Sequence, residues 1–112
     1  MKKPPSSLQG LRLRTRLVAA GRRPDEQFGF LNTPIYRGST VLYPDAAALR
    51  ANSPRFTYGT KGTPTTEALS NAWSEIAGAA GTVLTPTGLS AITIALSTAL
   101  SAGDHFLATD SA

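Results

Sequence analysis

Two short stretches carry residue types that could do chemistry. The first, FTYGTKGTPTTEAL (residues 56–69), sets the Tyr58 hydroxyl beside Gly59, Thr60, Lys61 and Gly62. Hydroxyls donate and accept, an ammonium donates three N–H bonds, and glycines let a ligand come close to the backbone. The stretch is either a loop before a capped helix or a loop that holds a ligand. The second, TPTGLS (Thr85–Ser90), joins an expected strand to an expected helix. The first N–H groups of a helix have no intrahelical acceptor and sit at the positive end of its dipole, so this turn suits an anion such as phosphate. Gly88 would let that anion approach. The turn matches neither GxxxxGK[ST] nor GxGxxG. Blander readings stand beside these. Thr85, Thr87 and Ser90 can simply cap a helix, Lys61 can be a solvated charge, and Tyr58 can plug a loop.

The elements that must position these residues follow from local signals. FTYGTKG reads as a loop in which Gly59 and Gly62 are free to take positive φ. TPTTEALSNAWSEIAG reads as a helix with Thr63 at the N-cap, Pro64 at the first position and Gly78 as the stop. Its apolar face comprises Leu69, Ala72, Trp73, Ile76 and Ala77, and Trp73 is expected in the core. Next come a short apolar strand TVLT, the PTGLS turn, a helix AITIALSTAL with Leu89, Ile92, Leu96 and Leu100 on one side, and Gly103 as its end. A second strand, HFLAT, follows, with His105 as a structural residue at its start. Strand, helix, strand is a βαβ unit with parallel strands. Upstream, residues 1–10 read as disordered, and LRLRTRLVAAGRR reads as a short helix stopped at Gly21. FLNTPIYRGSTVLYP is extended between its prolines, and DAAALRANS forms a helical turn or two capped by Asp45. Parallel sheets are buried on both faces and need further strands and helices. The chain therefore reads as the N-terminal part of a larger α/β protein.

Composition bounds the function classes. The 112 residues contain 41% hydrophobic and 16% charged residues, a globular balance. The net charge of +4 hides an asymmetry. Residues 1–23 hold seven basic groups (Lys2, Lys3, Arg12, Arg14, Arg16, Arg22 and Arg23) and no acid, whereas the remainder sets four basic groups against seven acids. No aromatic interleaves the basic arm, so stacking on nucleic-acid bases is not expected, and the arm suits solvent or a partner subunit. There is no cysteine and one histidine, so no metal site is expected. No apolar run approaches a membrane span, and a cytoplasmic location is expected.

FLNTPIYRGSTVLYP, FTYGTKGTPTTEAL, AGTVLTPTGLSAI and AGDHFLATDSA stand in the order and spacing of the Cys/Met-metabolism enzymes that depend on pyridoxal phosphate. The chain resembles that family from about Thr15 to Ala112. The resemblance implies an α/β fold of the aspartate-aminotransferase type (fold type I), of which this chain supplies an N-terminal arm and the first βαβ unit of the large domain. Residues 1–62 would then be an arm and loop region packed on a partner subunit, and residues 63–112 the start of the cofactor-binding domain. It also implies pyridoxal 5'-phosphate as cofactor, an amino-acid thioether as substrate, and a homodimer or homotetramer with shared active sites. The reaction implied is that of a carbon–sulfur lyase, an α,β-elimination giving homocysteine, pyruvate and ammonia. γ-Elimination or γ-replacement within the same family is the alternative, and a non-catalytic module with a basic arm is the alternative from another class.

Residue by residue, Gly88 and Leu89 match the backbone donors to the cofactor phosphate. Tyr58 matches a tyrosine that reaches the phosphate of the neighbouring subunit. Where many members carry an arginine two places after that tyrosine, this chain has Thr60, followed by Lys61, which could supply a point charge without the arginine fork. Tyr36 and Arg37 lie in a segment that approaches the active site in the family. None of Lys2, Lys3 and Lys61 matches the lysine that anchors the cofactor covalently, so no residue here is assigned a catalytic role. The chain alone is expected neither to hold the cofactor tightly nor to turn over substrate.

Overall fold

The computed structural model describes Leu8 and residues 10–111; most of the opening segment read as disordered lies outside these. Four α-helices follow in order: α1 (Leu13–Ala19), α2 (Ala46–Ala51), α3 (Pro64–Ala77) and α4 (Gly88–Ala99). Single 3-10 turns lie at Pro24–Glu26 and Gly59–Lys61.

Local chemistry explains where the helices start. The Asp45 carboxylate accepts the Ala48 N–H at 2.7 Å and opens α2. Thr63 and Thr66 cap α3 reciprocally: Thr66 N donates to Thr63 Oγ1 at 3.2 Å and Thr63 N donates to Thr66 Oγ1 at 2.8 Å. Two of the helix's orphan donors are thereby satisfied by hydroxyls. Pro64 follows at N1, and Gly78 terminates α3 in the left-handed region at φ 64°. α1 stops two residues before Gly21, with Ala20 already extended.

α4 departs from the expected limits at both ends. It begins at Gly88, because Thr87 Oγ1 accepts the Ser90 N–H at 3.1 Å and makes Thr87 the N-cap. It ends at Ala99 rather than at Gly103. The Asp104 carboxylate takes the Ser101 N–H at 2.7 Å, while Asp104 N donates to Ser101 O at 3.1 Å. That local turn competes with another helical turn for the same backbone groups.

The expected βαβ unit is absent among the described residues. TVLT and HFLAT form no ladder, and the only strand-like pairing is an isolated antiparallel bridge between Thr40 and Tyr58. A parallel strand exists only through neighbours and helical cover on both faces. Here the two apolar segments remain uncovered: Val83 is 78% exposed and Leu107 is fully exposed. His105 accordingly starts no strand and is exposed.

The same deficit removes the expected core. No hydrophobic side chain is buried among the described residues, and Trp73 is 61% exposed. α1 lies against α3 on another side, where Arg16 donates to the Glu75 carboxylate at 2.8 Å and to its carbonyl at 2.6 Å. No described element covers the Leu69–Trp73–Ile76 face, whose side chains are 39–61% exposed. The one buried residue among those described is polar: Gln27, whose Nε2 donates to Thr33 Oγ1 at 3.0 Å. The radius of gyration is 17.7 Å, against about 13 Å for a compact domain of this length.

Candidate functional site

α3 organises the first half of the site. From its N-terminal turn, the Thr65 hydroxyl donates to Pro34 O and accepts the Tyr36 N–H, both at 2.8 Å. The extended segment after Pro34 is thus pinned to the helix start. It runs past the loop, where Gly59 N donates to Ser39 O at 2.7 Å beside the Thr40–Tyr58 bridge.

Gly59 serves a purpose other than the expected one. Its φ is not positive; Gly62 alone in the loop is, at 149°. A Cβ at Gly59 would lie 1.8 Å from Gly38 O, a backbone atom that cannot swing aside. Glycine is required there by the close approach of two backbone segments.

Upstream of the loop, Arg55 is held by two carboxylates. Its Nε donates to Glu67 Oε1 at 3.1 Å, its Nη2 to Glu67 Oε2, and its Nη1 to Glu26 Oε2 at 2.7 Å. Glu26 also accepts from Arg23 at 2.8 Å. The guanidinium carbon lies 5.4 Å from the Phe56 ring centroid, within cation–π range. The hydrogen bond from Arg55 is the main reason the Glu26 carboxyl lies below its ordinary value of 4.5; desolvation opposes it and the Arg23 charge adds to it. The Arg55 pKa is raised, chiefly by the bond to Glu67 and then by that to Glu26. Neither Arg55 nor its partners announced themselves in the sequence, because the pairs span 12 and 29 residues and no local spacing signals them.

These contacts frame a cleft of about 560 Å³. Its lining includes Tyr58, Thr60 and Lys61 from the loop, Thr66 and Glu67 from α3, and Thr82 from the segment leading to α4. Tyr58, Thr60 and Lys61 are all exposed. Lys61 enters no ion pair among the described residues. Tyr36 lines a smaller adjoining cleft with Gln27 and Arg55; Arg37 lines neither.

The second half stands on α4. Thr82 is tied back to α3 through a 2.8 Å bond between its hydroxyl and that of Ser74. The Thr85 hydroxyl donates to Thr87 O at 3.0 Å and shapes the turn. Helix geometry leaves the N–H groups of Gly88 and Leu89 without acceptors, since the Thr87 cap takes that of Ser90. A Cβ at Gly88 would meet nothing within 4 Å, so the approach to these donors is open. Gly88 and Leu89 do not line the cleft that holds Tyr58, Thr60 and Lys61. Within this chain the expected donors thus form two separate groups.

Both groups fit a phosphate ester. One offers two free backbone N–H donors at the positive end of a twelve-residue helix, the other a phenol, a threonine hydroxyl and an ammonium. No group of three or more His, Cys, Asp or Glu suited to a metal occurs among the described residues. Nor is any described helix long and apolar enough to cross a membrane.

Known proteins add to this geometry. Residues 14–112 match the family model described as "Cys/Met metabolism PLP-dependent enzyme". A protein of Rhizobium johnstonii named "Putative cystathionine beta-lyase" is 46% identical over 99% of this chain and 28% of its own length. A Saccharomyces cerevisiae protein of the same printed name is 50% identical over 87% of this chain and 28% of its own. A protein of Escherichia coli named "Cystathionine gamma-synthase" is 36% identical over 84% of this chain and 23% of its own. The chain thus spans about 28% of the length of the first two relatives.

Proposed function

Because the chain belongs to the Cys/Met metabolism PLP-dependent enzyme family, whose cofactor is pyridoxal 5'-phosphate, we propose that it serves a carbon–sulfur lyase of the cystathionine β-lyase type. The observation that carries this reading is the pair of phosphate-suited donor groups, one at the α4 N-terminus and one on the Tyr58–Lys61 loop, within a chain similar to proteins of that name.

The Gly88 and Leu89 N–H groups would hold the cofactor phosphate from one side, with the dipole of α4 favouring its charge. The Tyr58 hydroxyl, the Thr60 hydroxyl and the Lys61 ammonium would hold the phosphate of a neighbouring subunit. Their separation from Gly88 within the single chain supports that division. Residues 1–62 would then serve as an arm on the partner, in a homodimer or homotetramer, and residues 63–112 would open the large α/β domain. When bound, pyridoxal phosphate supplies an electron sink at the substrate's α carbon. This chain's residues contribute binding and orientation, which lower the barrier by fixing the reacting geometry. The substrate would be an amino-acid thioether, and the reaction α,β-elimination of cystathionine to homocysteine, pyruvate and ammonia.

The test is product analysis on the complete gene product supplied with cystathionine and pyridoxal phosphate. Homocysteine with stoichiometric pyruvate is expected. Cysteine with 2-oxobutyrate would assign γ-elimination instead, and homocysteine without pyruvate would overturn both.

A further inference from the structure

We infer that Arg55 is a positioning residue for the Tyr58–Lys61 loop, clamping it to α3 and to the Pro24–Glu26 turn, and that it is not a direct ligand of the cofactor's anionic group. The inference rests on the proposed cofactor reading for what the loop binds, and on the geometry alone for what Arg55 does.

Arg55 precedes Tyr58 by three residues and lines the same cleft. A cation there could be taken for a phosphate ligand. Its donors are already committed, however. Two nitrogens form a fork on Glu67 and a third bonds Glu26. Arg23 completes the network on Glu26, so two guanidinium and two carboxylate groups balance to zero charge. An anion drawing Arg55 away would leave Glu67 without its partner.

The network joins three pieces of chain far apart in sequence: the 3-10 turn at Glu26, the loop entrance at Arg55 and the first turns of α3 at Glu67. The loop is fixed in its middle by Gly59 on Ser39 and at its exit by the Thr63–Thr66 cap. Arg55 supplies the third fixed point, at the entrance. Among the described basic side chains of the cleft, Lys61 is left as the one that pairs with no described carboxylate. Planar fork geometry is what a lysine at position 55 could not reproduce.

Two variants in the complete gene product separate clamp from ligand. Glu67→Gln removes the fork's acceptor charge and leaves Arg55 paired with Glu26 alone. Arg55→Lys keeps the charge and removes the fork. Each should weaken equilibrium binding of pyridoxal 5'-phosphate about three- to tenfold, as expected for loss of a partly exposed ion-pair network. The double variant should weaken it no further than either alone, because both break one interaction. A direct ligand predicts the opposite sign in Glu67→Gln, tighter binding, since Arg55 would then have a donor pair to spare for the anion; that result would overturn the inference, as would unchanged binding in Arg55→Lys. Limited trypsin cleavage after Lys61, without cofactor, reads loop order independently. It should speed up about threefold or more in both variants, and an unchanged rate would overturn the inference. If the unmodified protein binds no pyridoxal phosphate, the cofactor reading fails, while the cleavage rates still decide whether Arg55 holds the loop.

Discussion

At the scale of residues, the loop is governed by contacts whose partners lie far away in the chain. Gly59 is needed because Gly38 O occupies the space of a side chain. Gly59→Ala should destabilise the folded protein by about 1–3 kcal/mol, the usual range for overpacking against rigid neighbours. Urea denaturation of the complete gene product measures it as a lowered midpoint with unchanged slope.

Glu26 makes a pH-dependent prediction. Its folded-state pKa is depressed, so its contribution to stability is present above the ordinary value of 4.5 and is lost as pH falls from there through the lowered value. The stability difference between wild type and Glu26→Gln should stay constant from pH 7 down to about pH 5.5 and shrink below 4.5. Its size is small because the pair is exposed. Thermal unfolding of both proteins across that range checks it, and a difference that grows on acidification would contradict the assigned sign.

At this scale the sequence was legible where the chemistry was local. Thr63, Pro64, Gly78 and Asp45 act over three or four residues, and all four take the expected roles. Arg55, Glu26 and the Gly38–Gly59 contact were not legible, since their spacing carries no periodic signal.

At the scale of elements, the helices follow from their caps and the strands fail for want of neighbours. α3 is the central support: it carries the loop's exit, the pin on Pro34 and Tyr36, and the Arg55 fork. Thr63→Ala removes the side-chain oxygen that caps it and should cost about 1 kcal/mol, seen as a lowered urea midpoint. Thr63→Ser should recover most of the loss, because serine keeps the acceptor. α4 shows how a boundary can move. A threonine cap starts it earlier than its apolar run suggests, and the Ser101–Asp104 turn ends it earlier than the next glycine does. TVLT and HFLAT have strand composition, but pairing is a property of several segments, and these two form no ladder.

At the scale of the whole molecule, the family was legible because four motifs occur in order, each marking a backbone shape or a donor set. The core was not, because the apolar helix faces, with Trp73 expected in the core, find no cover among the described residues. Leu69, Trp73 and Ile76 of α3 and Leu89 and Ile92 of α4 remain 39–75% exposed. With no hydrophobic side chain buried among the described residues, the main favourable contribution to folding is weak. The isolated 112-residue chain should therefore show no cooperative urea transition by the fluorescence of Trp73, its single tryptophan. A sharp two-state transition would show that it folds alone.

The central claim is that the loop and the α4 N-terminus are built for a phosphate ester. Equilibrium binding of pyridoxal 5'-phosphate and of pyridoxal to the complete gene product and to its Lys61→Ala variant tests it most directly. The variant should bind the phosphorylated form about three- to tenfold more weakly and bind pyridoxal as well as wild type does. Equal affinity of wild type and variant for pyridoxal 5'-phosphate, or equal loss for both compounds, would contradict the account.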